Sequence, residues 1–226
     1  MHPKLKEPVF FLNFKTYDKG TGAKAIALAK EAEEVAKKTN STVALVVQAL
    51  DLRAIASAVS IPVFSQHIDP VSFGSNTGKI LPEAVKEAGA IGTIINHAEN
   101  KRDNGFVQKA VQRAKEAGLT VMVCAETTER AKEVAAFSSD LIAIEPPELI
   151  GGTVSVSTAN PKIISDSVKA VHSIARIPVI AGAGVNSAAD VKKSIELGAS
   201  GVFVASAVLK AENPAQVLAE MIKGFK

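Results

Sequence analysis

Eight times along this 226-residue chain, a short and nearly unbroken apolar run gives way to a longer stretch of helical period. The runs fall at 9–15, 43–48, 63–67, 92–97, 121–126, 141–145, 179–182 and 201–205. A strand that buries one face alternates apolar and polar residues. These runs do not, so they suit parallel strands covered on both faces. The stretches between them, 23–38, 52–59, 82–88, 105–117, 129–136, 161–174, 188–197 and 214–224, are predicted helices. Asn160-Pro161 and Asn213-Pro214 place a cap residue before a first-turn proline, and Gly89, Gly118 and Gly198 follow the last periodic residue. Eight strand–helix pairs predict a single-domain (β/α)8 barrel over 1–226, although an open doubly wound sheet uses the same alternation. Two features favour closure. Polar residues (Asn13, Lys15, Gln48, Gln66, His67, His97, Glu126, Glu145) cluster at the carboxyl ends of the runs, and no G-x-G-x-x-G turn follows the first.

Composition bounds what such a fold serves. Hydrophobic residues make up 47% of the chain and aromatics only 4%, which predicts an aliphatic, Ala-rich core. The net charge is +3 with no long basic run. That argues against a nucleic-acid partner and leaves room for a local positive site for an anionic metabolite. Cys124 is the only cysteine, which excludes an internal disulfide and fits a reducing compartment. No apolar signal core opens the sequence and no run reaches membrane-spanning length, so a cytoplasmic protein without membrane contact is expected.

Three constellations at the run ends carry chemistry. In Asn13-Phe14-Lys15, a period of two points Asn13 and Lys15 one way and Phe14 the other, towards the helices. Most lysines are solvated loop residues, but a Lys at a strand tip with Asn13 on its face is a positive charge aimed at a bound anion. In Asn96-His97-Ala98-Glu99, His97 emerges where barrels keep catalytic groups. A lone histidine there is often only structural, and Glu99 is either a surface carboxylate or a partner for Lys15 across neighbouring loops. Glu145 is the strongest case. It ends the aliphatic run Leu141-Ile142-Ala143-Ile144, where a carboxylate is costly to bury unless paired or needed. The next helix is too far away for it to act as a cap, which leaves a general base or a salt-bridge partner, with the base favoured. Pro146-Pro147 stiffen the exit and Gly151-Gly152 ends a short apolar segment, the pattern of a rigid tip followed by a swinging loop. Phosphate capture needs backbone N–H groups at glycine-rich turns, and Gly151-Gly152, Gly182-Ala183-Gly184-Val185 and Ala205-Ser206-Ala207 are candidates.

Together, Asn13-Phe14-Lys15, Asn96-His97-Ala98-Glu99 and Glu145-Pro146-Pro147-Glu148-Leu149-Ile150-Gly151 closely resemble triosephosphate isomerases. The Pro-Pro-Glu-Leu segment and the short chain resemble their archaeal branch. The motifs run from the first strand to the last in the family's order. The resemblance implies a TIM barrel that interconverts dihydroxyacetone phosphate and D-glyceraldehyde 3-phosphate through an enediolate, in glycolysis and gluconeogenesis, without metal or organic cofactor. On it, Glu145 would carry a proton between adjacent carbons and His97 would act as a neutral imidazole on the oxygens. Lys15 and Asn13 would meet the developing charge, with Glu99 beside them. Backbone N–H groups of Gly151, Gly184, Ala205 and Ser206, with Ile150 alongside, would hold the phosphate while residues 147–153 close as a lid. Gly74-Ser75-Asn76-Thr77-Gly78 looks like the family's interdigitating loop, which implies a homodimer or homotetramer with Thr77 near the partner subunit's Lys15. The sequence departs from the pattern at Ala98, Gly152-Thr153, Asn186, Ala207, Asn76 and Lys79, none of which removes a catalytic group.

Two rival readings use the same positions. His67, Asp69, His97, Glu126 and Glu145 are ligand types for Zn2+ or Fe2+ in a metal-dependent sugar-phosphate epimerase, although their spacing follows no chelating motif. The other rival is a non-catalytic phosphate-binding barrel, against which the intact set Asn13, Lys15, His97 and Glu145 speaks.

Overall fold

A computed structural model describes residues 5–146 and 161–226. Its strands are β1 (Val9–Asn13), β2 (Thr42–Val47), β3 (Val63–Ser65), β4 (Gly92–Ile95), β5 (Thr120–Ala125), β6 (Leu141–Ile144), β7 (Val179–Ala181) and β8 (Gly201–Val204). Each pairs in parallel with its neighbour in sequence and β8 returns to β1, so the sheet is a closed barrel and not an open one. Around it run α1 (Gly22–Thr39), α2 (Leu52–Ala58), α3 (Pro82–Glu87), α4 (Asn104–Glu116), α5 (Thr128–Ala135), α6 (Pro161–His172), α7 (Ala188–Glu196), α8 (Ser206–Leu209) and α9 (Pro214–Ile222). α8 was not expected. At four residues it is too short for a 3.6-residue period to register.

The missing alternation has its explanation in two separate apolar layers. Phe10, Leu12 and Phe14 face outward into the helices, while Val9 and Phe11 face the barrel axis with Ala44, Val46, Phe64, Met122, Ala143, Ile180 and Phe203. Both faces of every strand are therefore dry. The aliphatic expectation needs one correction. Phenylalanines fill much of the axis, with Phe11 edge-on to Phe64 at 5.4 Å and to Phe203 at 6.4 Å between ring centroids. Edge-to-face is a favoured geometry for such rings, and here they pack among the branched Val9, Val46 and Ile180.

The helix punctuation holds wherever it falls on described residues. Asn213 Oδ1 accepts from the Gln216 N–H at 3.0 Å. Gly89, Gly118 and Gly198 sit at φ 98°, 74° and 96°, the left-handed conformation that ends a helix most easily without a Cβ. The Asn160 cap lies outside the described residues.

Closure concentrates at the seam where Val9 faces Gly201. A Cβ on Gly201 would overlap the carbonyl oxygen of Val9, a backbone atom that cannot retreat without parting β1 from β8. Gly201→Ala is expected to destabilise the fold by about 1–3 kcal/mol, the usual cost of overpacking, read as a lower urea midpoint. An unchanged midpoint would show that the seam is not tight.

Candidate active site

The functional side chains gather at the carboxyl end of the barrel, and two of them arrive by breaking strand parity. β1 stops at Asn13, two residues before the apolar run suggested, and Lys15 adopts φ 46°. Asn13 faces inward as the next member of the Val9–Phe11 series, but Lys15 does not reach the pocket by strand alternation. It reaches it through a left-handed turn, uncommon for a residue with a Cβ, in which Asn13 Oδ1 accepts from the Lys15 N–H at 3.0 Å. Phe14 is fully buried against the helices, as expected. Lys15 Nζ meets Glu99 Oε1 at 2.9 Å, so the anticipated cross-loop pair forms.

The same device recurs after β4. Asn96 has φ 63° and is buried, with Nδ2 donating to the Cys124 carbonyl at 2.8 Å and Oδ1 accepting from the Arg102 N–H at 2.8 Å. That turn swings His97 into the mouth. A 3-10 turn, Ala98–Asn100, then brings the Glu99 N–H to His97 Nδ1 at 3.2 Å. A backbone N–H only donates, so Nδ1 accepts and the ring proton sits on Nε2. The Glu99 carboxylate is also 3.6 Å from Nδ1, but its closer engagement is with Lys15.

Glu145 follows β6 and is 3% exposed. Its own N–H donates to the Ala125 carbonyl at 2.8 Å, which extends the β5–β6 ladder by one rung and fixes where the side chain starts. Oε1 lies 3.3 Å from His97 Nε2, and Oε2 has no hydrogen-bond partner among the described residues. Burial, with this carboxylate beside it, pushes the Cys124 thiol well above the ordinary thiol range. Phe203 stands edge-on to the His97 ring at 6.0 Å and closes the apolar side.

Gly184 (φ 63°), Val185, Asn186, Ala205 and Ser206 form the opposite wall of the pocket that holds Asn13, Lys15, His97 and Glu145. Both turns after β7 and β8 thus reach the site. Ile150, Gly151 and the predicted lid at 147–153 lie outside the described residues. Three contributors were not recognised from sequence as such: Asn96, Phe203 and Gly182. Gly182 was read as part of a phosphate turn, yet a Cβ there would lie 2.7 Å from Glu145 Cγ, so its bareness makes room for the carboxylate. The metal-ligand set does not converge. His67 pairs with Asp69 at 3.7 Å and stacks on Phe106, Glu126 meets Lys101 at 3.5 Å, and no group of three His, Cys, Asp or Glu among the described residues could hold an ion. Gly182→Ala should displace Glu145 and lower turnover of the site's substrate by about 100-fold while the melting temperature moves little. Unchanged turnover would deny the glycine this role.

Comparison with known proteins bears directly on this arrangement. The family model for triosephosphate isomerase matches residues 8–224. The chain is 42% identical over 213 residues to a triosephosphate isomerase of Methanocaldococcus jannaschii, covering 94% of this chain and 97% of that protein. It is 42% identical over 218 residues to one of Archaeoglobus fulgidus, covering 96% and 98%. The crystal structure of triosephosphate isomerase from Bartonella henselae superposes with a TM-score of 0.74 over 93% of this chain and 97% of that one, and at 20% identity it speaks for the fold alone. The chain belongs to the triosephosphate isomerase family.

Proposed function

We propose that this protein interconverts dihydroxyacetone phosphate and D-glyceraldehyde 3-phosphate, with Glu145 as the base and His97 as the electrophile. The observation that carries the assignment of roles is the convergence of a buried carboxylate and an Nε2–H imidazole at 3.3 Å, with the Lys15 ammonium in the same pocket. Substrate enters between the two groups. Glu145 takes the proton from C1 of the ketose, the electrons of that bond form a double bond between C1 and C2, and the C2 oxygen gains negative charge. His97 Nε2–H donates to that oxygen and then takes the proton of the C1 hydroxyl, so that Glu145 can return its proton to C2. One C–H bond breaks and one forms, and no electron acceptor is required. Lys15 and the Asn13 amide meet the oxygens as they charge. Fixed donors of this kind are worth ~3–4 kcal/mol each in a dry site. The backbone turns at Gly184, Ala205 and Ser206, with Ile150 and Gly151, take the phosphate.

Turnover of glyceraldehyde 3-phosphate in a coupled assay, with a strong chelator present, tests the reading. We expect full activity in chelator and a fall of kcat by about 100-fold or more in Glu145→Asp, with KM little changed. Background turnover would favour the binding-barrel rival, and activity lost to chelator and restored by metal the epimerase.

A homo-oligomer in the cytoplasm, serving glycolysis and gluconeogenesis, completes the proposal. Among the described residues no helix is long and apolar enough to cross a membrane. Leu50 and Phe73, on the loops after β2 and β3, are 95% and 77% exposed, and the 74–78 loop follows Phe73 directly. At the barrel mouth a cleft of about 500 Å3 opens on Lys15, His67, His97 and Glu99. Self-association through these loops would bury the two apolar side chains and fill that cleft. In a sizing measurement the wild type should run above its 23.5 kDa chain mass and Phe73→Ser should shift towards it. A monomeric wild type would remove this part of the proposal.

A further inference from the structure

Lys15 and Asn13 are useful only where their donors point, and something must hold them there. We infer that Gln66, just past the end of β3, is a positioning residue that fixes the amide orientation of Asn13 and the left-handed turn of Lys15. The inference rests on the isomerase reading above and adds a residue to it.

Gln66 Nε2 lies 3.2 Å from Asn13 Oδ1 and 3.0 Å from the carbonyl oxygen of Lys15, while the Lys15 N–H donates to the same Asn13 Oδ1 at 3.0 Å. The three residues close a ring of hydrogen bonds whose polarity the backbone dictates. The Lys15 carbonyl can only accept, so Gln66 must present its NH2. The Lys15 N–H can only donate, so Asn13 must present its oxygen. With the amides arranged this way, both hydrogens of the Gln66 amide are used. Turning either amide over would set donor against donor or acceptor against acceptor. Asn13 is left with its oxygen occupied twice and its Nδ2 as the group available to the pocket it shares with His97 and Glu145.

Gln66 is itself well anchored. Its N–H donates to the Val47 carbonyl at 3.1 Å, one rung beyond the formal strand, and it follows Phe64 on the axial side. It lines the adjoining cleft and not the reaction pocket, so its influence on substrate passes through Asn13 and Lys15. Without the ring, Lys15 has little reason to keep φ 46°, and an extended backbone there would carry the ammonium elsewhere.

The test compares Gln66→Glu, which keeps the shape but turns the donor into an acceptor, and Gln66→Met, which keeps the length and removes the donor. Two ligands report separately: inorganic phosphate for the turns after β7 and β8, and 2-phosphoglycolate, whose added planar carboxylate is expected to engage Asn13 and Lys15. For Gln66→Glu we expect kcat/KM to fall about 100-fold and 2-phosphoglycolate to weaken about 10-fold, with phosphate affinity unchanged, and for Gln66→Met the same pattern in smaller degree. Equal weakening of both ligands would mean general damage to the barrel and overturn the inference, as would unchanged kcat/KM in both variants. A wild type that fails to turn over glyceraldehyde 3-phosphate overturns the isomerase reading first. An active wild type with equally active variants overturns this inference alone.

Discussion

Closure of the sheet on itself is the constraint from which the site follows. Once β8 pairs with β1, every second residue of every strand must fit around one axis, and no strand keeps a solvent face. Apolar side chains fill the lower part of that axis. Where the filling ends, the next inward positions include Asn13, Gln66 and Glu145, and strand parity carries each of them to the mouth. A polar cluster of this density would be costly in an open sheet, whose ends diverge with the twist. In a closed one it occupies the single place where axial residues reach the mouth.

Parity alone would not have delivered the cation and the imidazole. Lys15 and Asn96 each take a left-handed backbone, of the kind that costs of order 1–3 kcal/mol for a residue with a Cβ. Each is offset by side-chain bonds to backbone: Asn13 and Gln66 serve the first turn, and the Asn96 side chain serves its own. The expense falls where it re-aims a functional group, next to strands whose own geometry is regular. Gly182 is the complementary device, since absence of a side chain in β7's exit is what admits the carboxylate from β6.

Much of this is legible in the residues alone. Unbroken apolar runs predicted strands buried on both faces, and the polar residues after them predicted a mouth. Glu145 stood out because a carboxylate after four aliphatic residues needs a reason. The Lys15–Glu99 pair was one of two readings open for Glu99, and it is the one that forms. What escaped has a common physical character. Hydrophobic periodicity reports which face is buried and says nothing about the sign of φ, so Lys15 was assigned to a strand and Asn96 went unremarked. The tautomer of His97 depends on a 3-10 turn shorter than any period. The part played by Gly182 is a relation between two strands, invisible in either one, and the motifs that resemble known isomerases mark candidate side chains but not the space that accommodates them.

Glu99 joins two of those groups at once. Its main chain is tied to the imidazole and its carboxylate grips the ammonium, although the residues it links belong to loops far apart in the chain. One residue therefore acts as a shared bracket for imidazole and cation. Drift of the loop that carries it would move both together and preserve their mutual spacing, whereas shortening its side chain would cut loose one arm and leave the other bolted.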